Sequence, residues 1–342
     1  TKQIIVKPLP SASFFSSSVC LGDTMYFNDN SSSQNGQILS WAWDFDDPSS
    51  GIQNTSNIED PFHLYSSVGQ YSVSLTVADS FGCSGNLMNL FDVYALPQAD
   101  FSVQNVCFNE PASFMDNSTS LGSIVSWEWD LGDGSTSFNQ NPNHVYTDSL
   151  TYDVELYVID NNGCKNNITK QVIVHPLPVM NFYSDKVNGC VPLIVNFQSA
   201  CANSVDWIWD FGDNGTLYQG SSGTYTYQDP GTYTITLSAT SIHNCSNTLT
   251  IDDMIEAFPL PIASFNINPD QIVSIVDPNY YFLNTSWNSV QWYWDFGDGS
   301  SSTQENPSHL YIDTGWYEIE MVATSQHYCL DTVNQSVYIK PD

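Results

Sequence analysis

The chain has no arginine and only six basic residues, all lysine, against 37 acidic ones, giving a formal charge of -31 over 342 residues. Side chains that hold phosphate are nearly missing, which excludes nucleic acid as a partner. Charged residues of both signs make up only 13% of the chain, so Ser, Thr, Asn and Gln must cover most of the surface. Such an acidic surface repels copies of itself, stays soluble and attracts cations such as calcium. No apolar run reaches the ~18 residues a membrane span needs, and no signal peptide is visible. No stretch longer than a turn has helical periodicity. No C-x-x-C pair occurs, which disfavours zinc and favours disulfides in an oxidising, extracellular compartment. A nucleophile elbow, an H-E-x-x-H helix and a phosphate loop are all missing, so the chain reads as no enzyme. Its paired carboxylates sit in repeated turns, not in a glycosidase-like dyad.

What the chain does have is one motif four times. The copies are Trp43-Asp44-Phe45-Asp46-Asp47, Trp129-Asp130-Leu131-Gly132-Asp133-Gly134, Trp209-Asp210-Phe211-Gly212-Asp213-Asn214 and Trp294-Asp295-Phe296-Gly297-Asp298-Gly299. Their tryptophans stand 86, 80 and 85 residues apart, and each follows another tryptophan by two: Trp41, Trp127, Trp207 and Trp292. That period, with a full set of strands per copy, describes a string of small domains. Proline linkers mark the boundaries at Pro8-Leu9-Pro10, Leu96-Pro97, Pro176-Leu177-Pro178 and Pro259-Leu260-Pro261. The expected repeats are 8–96, 97–178, 179–261 and 262–342. Residues 1–7 match Thr169–His175, so they are expected to be the last strand of a preceding repeat in a longer array.

Residues two apart on a strand face one way, so each Trp pair shares a face. Segments such as Tyr71-Ser72-Val73-Ser74-Leu75-Thr76-Val77 alternate strictly, as a strand with one wet face does. The expected fold is all-β: four immunoglobulin-like sandwiches of about seven strands, arranged as an extended rod with stiff proline joints. The second Trp of each motif is expected in the core. The first could lie at a sheet edge and stack on a sugar, although its presence in all four copies favours a structural role.

The motifs W-D-F-G-D-G, N-P-x-H-x-Y and G-x-Y-x-V-x-L-x-V together resemble the PKD domain, and the resemblance covers nearly all of the chain. Repeat one departs at Asp46 and Pro48, and repeat three lacks N-P-x-H. Cysteine-bearing arrays of this kind resemble segments of large bacterial surface adhesins, including gliding-motility adhesins exported by type IX secretion. They also resemble accessory modules of secreted polysaccharide- and protein-degrading enzymes. The resemblance therefore implies a non-catalytic stalk at the bacterial cell surface. The alternative it leaves open is a polysaccharide- or protein-binding module of a secreted hydrolase. The expected partners are the neighbouring repeats, with surface polysaccharide or another surface protein as further candidates.

Cys20, Cys107 and Cys190 are expected in the turn between the first and second strands of their repeats; Cys83, Cys164, Cys245 and Cys329 in the loop before the last strand. In an immunoglobulin-like sandwich those places lie at opposite poles, ~25 Å apart for strands of about eight residues. A disulfide needs Cα atoms within about 7 Å. Bridges are therefore expected across joints: Cys20–Cys164, Cys107–Cys245 and Cys190–Cys329, with Cys83 left for a preceding repeat and Cys201 over. Pairing within a repeat, such as Cys20–Cys83, is the alternative. His63, His144 and His309 share one position before a core Tyr, a sign of structure and not catalysis. Asp29, Asp79, Asp116 and Asp160 converge on one pole and could hold calcium; the alternative is that they cap turns.

Overall fold

The computed structural model describes residues 6–34, 36–213, 215 and 217–342. The chain folds as two units, Thr1–Pro176 and Leu177–Asp342. Each unit holds two β-sandwiches with separate cores. The strand expected over residues 1–7 lies, in its first five residues, outside the described residues.

All four sandwiches follow one plan, seen most fully in the third. One sheet has five strands in the order Asn188–Cys190, Ser246–Phe258, Gly231–Thr240, Asp206–Asp210 and Leu217–Gln219. The other has three: Phe182–Ser184, Leu193–Ser199 and Ser222–Tyr227. In the first unit the smaller sheet is broken into two-stranded pieces, such as Phe14–Phe15 with Asn28–Asp29 and Met25–Tyr26 with Phe62–His63. Alternation supplies the inner faces: along Gly69–Asp79, Tyr71, Val73, Leu75 and Val77 are buried and their neighbours are wetter. The second Trp of each motif (Trp43, Trp129, Trp209, Trp294) is fully buried between the sheets. Its indole N–H is not orphaned, since it donates to the carbonyl of Ile58, Asn139, Gly220 or Gln304 at 2.9 Å.

The cysteine position requires one correction. Cys20, Cys107 and Cys190 do not lie in a turn. The first strand of each sandwich is split, and its second piece crosses to the larger sheet. There it pairs in parallel with the last strand, setting Cys20 opposite Tyr94, Cys107 opposite His175 and Cys190 opposite Phe258. Such pieces are two or three residues long, too short for any period to reveal. Repeat one's extra segment folds as 3-10 turns over Pro48–Asn54.

The glycine turn after the core Trp has a steric cause. Gly132 and Gly297 have φ of +81° and +80°, and a Cβ on either would meet a backbone carbonyl of the neighbouring strand at 2.5 Å. Asp46 occupies this position in the first repeat at φ 61°. Its carboxylate accepts the Ser72 N–H at 2.9 Å, a bond glycine cannot make.

Candidate functional site

The joint between sandwiches is built from the ends of these strands. Each proline linker is held by the start of the last strand of the sandwich it leads into. Asn166 donates to the Pro97 carbonyl at 2.8 Å and Asn247 to that of Pro178 at 3.0 Å. Asp331 accepts the Ala263 N–H at 2.8 Å. In the first repeat Gly85 has this position, and the Pro10 carbonyl fills the space a side chain would need.

Just before this strand comes the loop with the second set of cysteines. Asp160 Oδ1 accepts the N–H groups of Asn162 and Cys164, at 2.9 and 3.0 Å, and its other oxygen takes the Ser120 hydroxyl. Asp79 does the same for Phe81, Cys83 and Ser33. Ser241 and Ser325 replace these aspartates, and their Oγ atoms accept from the same backbone positions. A neutral hydroxyl thus does the work of the carboxylate, so the shared property is an acceptor that caps the loop.

Asp29 and Asp116 have a different task. Each accepts the indole N–H of the first Trp of its repeat, Trp41 at 2.8 Å and Trp127 at 2.7 Å. Their other oxygens accept from Ser31 and Ser118. The first tryptophans are half-buried against the core. Among the described residues no three His, Cys, Asp or Glu side chains converge as a metal site. In the third repeat Ser199 stands at the aspartate position, and the buried Trp207 Nε1 has no acceptor among the described residues.

Across the joint in the first unit, Cys20 and Cys164 form a disulfide with Cα atoms 5.5 Å apart. In the second unit Cys190 and Cys329 do so at 5.6 Å. Each bridge ties the split-strand edge of one sandwich to the capped loop of the next. Beside the second bridge, the rings of Phe258 and His327 stack at 3.8 Å and 14°. Beside the first, Tyr94, Leu121, Asp160 and Asn162 line a cleft of about 350 Å³. Cys107 and Cys245 are also in disulfide form, whereas Cys83 and Cys201 are free thiols, both half-buried.

The three repeated histidines each meet the second acid of the glycine turn: His63 with Asp47 at 3.0 Å, and His144 with Asp133 and His309 with Asp298 at 2.7 Å. Burial works to raise the pKa of these three carboxyls. Hydrogen bonds from Ser49 and His63, from His144 and Ser135, and from Ser300 and His309 outweigh it and hold each below the ordinary aspartate value. In the third repeat, which lacks the histidine, the Tyr225 hydroxyl donates to Asp213 and its ring lies on Phe211. Burial, then the Asp213 bond, push the Tyr225 pKa up to about 12. Two residues further along, Tyr65, Tyr146, Tyr227 and Tyr311 donate to the carbonyl between the two motif acids. Sequence reasoning found the histidine column but not its partner. The spacing carried the signal only in part: acid and histidine stand 11 residues apart in the second and fourth repeats but 16 apart in the first, where the extra segment intervenes.

Four sandwiches with a buried Trp between two sheets and a buried Tyr tied to the neighbouring turn define an immunoglobulin-like module array. The sequence profile of the PKD domain matches residues 6–93, 94–175, 177–256 and 267–340, and the chain belongs to that family. It is 23% identical to human polycystin-1 over 309 residues, 82% of this chain and 7% of that protein. It is 32% identical to the pre-pro-metalloprotease PrtV of Vibrio cholerae over 155 residues, 44% of this chain and 16% of that one. With collagenase ColA of Bacillus cereus it shares 39% over 72 residues, 20% of this chain and 8% of the relative. The chain thus spans a small part of each. Among solved structures it is similar to the PKD1 domain of Vibrio anguillarum Epp, at 30% identity and a TM-score of 0.23, covering 24% of this chain and 98% of that one.

Proposed function

We propose that this chain is a non-catalytic spacer: a segment of a large extracellular protein, in which successive PKD sandwiches are clamped at their joints by disulfides. The carrying observation is the recurrence of one bridge geometry in both units, from the split-strand edge of one sandwich to the capped loop of the next. A bridge within a sandwich would stabilise that fold alone; a bridge across a joint restrains how two folds move. Closing loops of this length stabilises by roughly 5 kcal/mol in the chain-entropy account. The same period pairs Cys107 with Cys245 and leaves Cys83 for the edge cysteine of a preceding repeat. The parent we favour is a bacterial cell-surface adhesin, with gliding motility and type IX export as its setting. No helix among the described residues is long and apolar enough to cross a membrane.

The four aspartates act as turn caps and tryptophan acceptors in this reading, with no calcium needed. Calorimetric titration of the chain with calcium should give no binding heat; a saturable heat lost on Asp116→Asn would assign them to a metal instead. Peptide mapping without reduction tests the clamps. Linked peptides Cys20–Cys164, Cys107–Cys245 and Cys190–Cys329 are expected, and a Cys20–Cys83 peptide would overturn the proposal. The second reading, a module of a secreted hydrolase, is favoured by the metalloprotease and collagenase relatives. Finding a catalytic domain in the parent chain would select it.

A further inference from the structure

The fourth sandwich carries a surface that its sisters lack. Trp316 is 71% exposed and pairs across the sheet with Tyr338, ring centroids 5.0 Å apart and tilted by 36°. The equivalent cross-strand pairs are Gln70 with Asp92, Thr151 with Ile173 and Thr232 with Glu256. No other repeat places two aromatic rings there. The rings form one wall of an open cleft of about 530 Å³. The loop Pro269–Ile272 lines the same cleft, and the Tyr280 hydroxyl fastens it by donating to the Gln271 carbonyl at 3.0 Å. Asn266 and Gln335 also line it, and Asp270 in the loop supplies its carboxylate.

We infer that this cleft is a binding site for a neutral glycan chain. An exposed indole beside a phenol offers a broad apolar face with a polar rim, suited to the C–H face of a pyranose ring. Amide side chains beside it can both donate to and accept from sugar hydroxyls. The lining has one carboxylate and no cation, and the chain is strongly acidic, so an anionic polymer finds no counter-charge and is repelled. The cleft is open to solvent and not enclosed, so a polymer can lie in it without threading. A stable protein partner would need to bury nearer ~800 Å² of surface on this side, far wider than two rings. The inference stands apart from the spacer reading: a spacer needs no ligand, and a glycan site needs no disulfide.

Native electrophoresis of the full chain in gels containing hydroxyethylcellulose, laminarin, mannan, xylan or pullulan tests it, with alginate as the anionic probe. At least one neutral polysaccharide should retard the chain, and Trp316→Ala should weaken that retardation at least tenfold. Trp316→Gln, which installs the residue of the first repeat, should do the same without burying or exposing any core group. Trp287→Ala, at an exposed tryptophan outside the cleft, should bind as the parent does. Unchanged near-ultraviolet circular dichroism of the core tryptophans verifies folding of the variants. Retardation by none of the neutral polymers would overturn the inference. So would retardation that survives both Trp316 variants, retardation by alginate alone, or Trp316-dependent capture of a protein with no glycan bound.

Discussion

Trp207 and its three counterparts show how one residue sets a local energy. Trp41 and Trp127 donate to aspartate, Trp292 donates to Ser289 at 3.1 Å, and the buried Nε1 of Trp207 has no acceptor among the described residues. A buried donor left unpaired costs about 1–3 kcal/mol. Ser199→Asp should therefore stabilise the third sandwich by about 1 kcal/mol, read as a rise in its melting temperature by calorimetry; a fall would contradict the pairing. Tyr225→Phe, which removes only the hydroxyl facing Asp213, should destabilise the same sandwich by about 1 kcal/mol, while Tyr225→His should be better tolerated. Asp47, Asp133 and Asp298 add a pH dependence. Their folded pKa values are depressed, so their stabilisation is complete above the unfolded value near ~4 and is lost as pH falls through the lower folded values. Melting temperatures should fall on acidification below about pH 4, and less steeply in Asp133→Asn.

At the level of strands and turns, the glycine turn is the sharpest case. Gly132→Ala would press a Cβ against the Asp153 carbonyl at a φ of +81°, and should cost about 1–3 kcal/mol in urea unfolding. Asp46→Gly relieves strain but loses the bond to Ser72, so its effect should be under about 1 kcal/mol. The long strands were legible because a period of two survives over ten or eleven residues, as in Gly69–Asp79 and Leu330–Lys340. The split first strand was not, because pieces of two residues carry no period. Tyr225 was hidden for another reason: a phenol replaces an imidazole in reaching the same acid, and nothing in composition equates the two. The aspartates were legible as polar turn residues, but their partners depend on loops folding back across the sandwich. Trp316 is distinguished only by the register that sets it opposite Tyr338, which no local pattern states.

At the scale of the chain, the two disulfides change what tension can do within each unit. Cys20–Cys164 encloses a loop with a sequence separation of 144, and Cys190–Cys329 one of 139. A pull on the ends passes through the bridge and leaves the enclosed residues unloaded. Each loop so withholds roughly 500 Å of extended chain, at ~3.5 Å per residue. The most direct measurement is single-molecule extension of the intact chain, held at its two ends, before and after reduction. The clamped chain should stop well short of its full contour while oxidised, and gain about 1,000 Å in all once reductant is added. Full extension without reductant, through separate unfolding of each sandwich, would contradict the clamped-joint account.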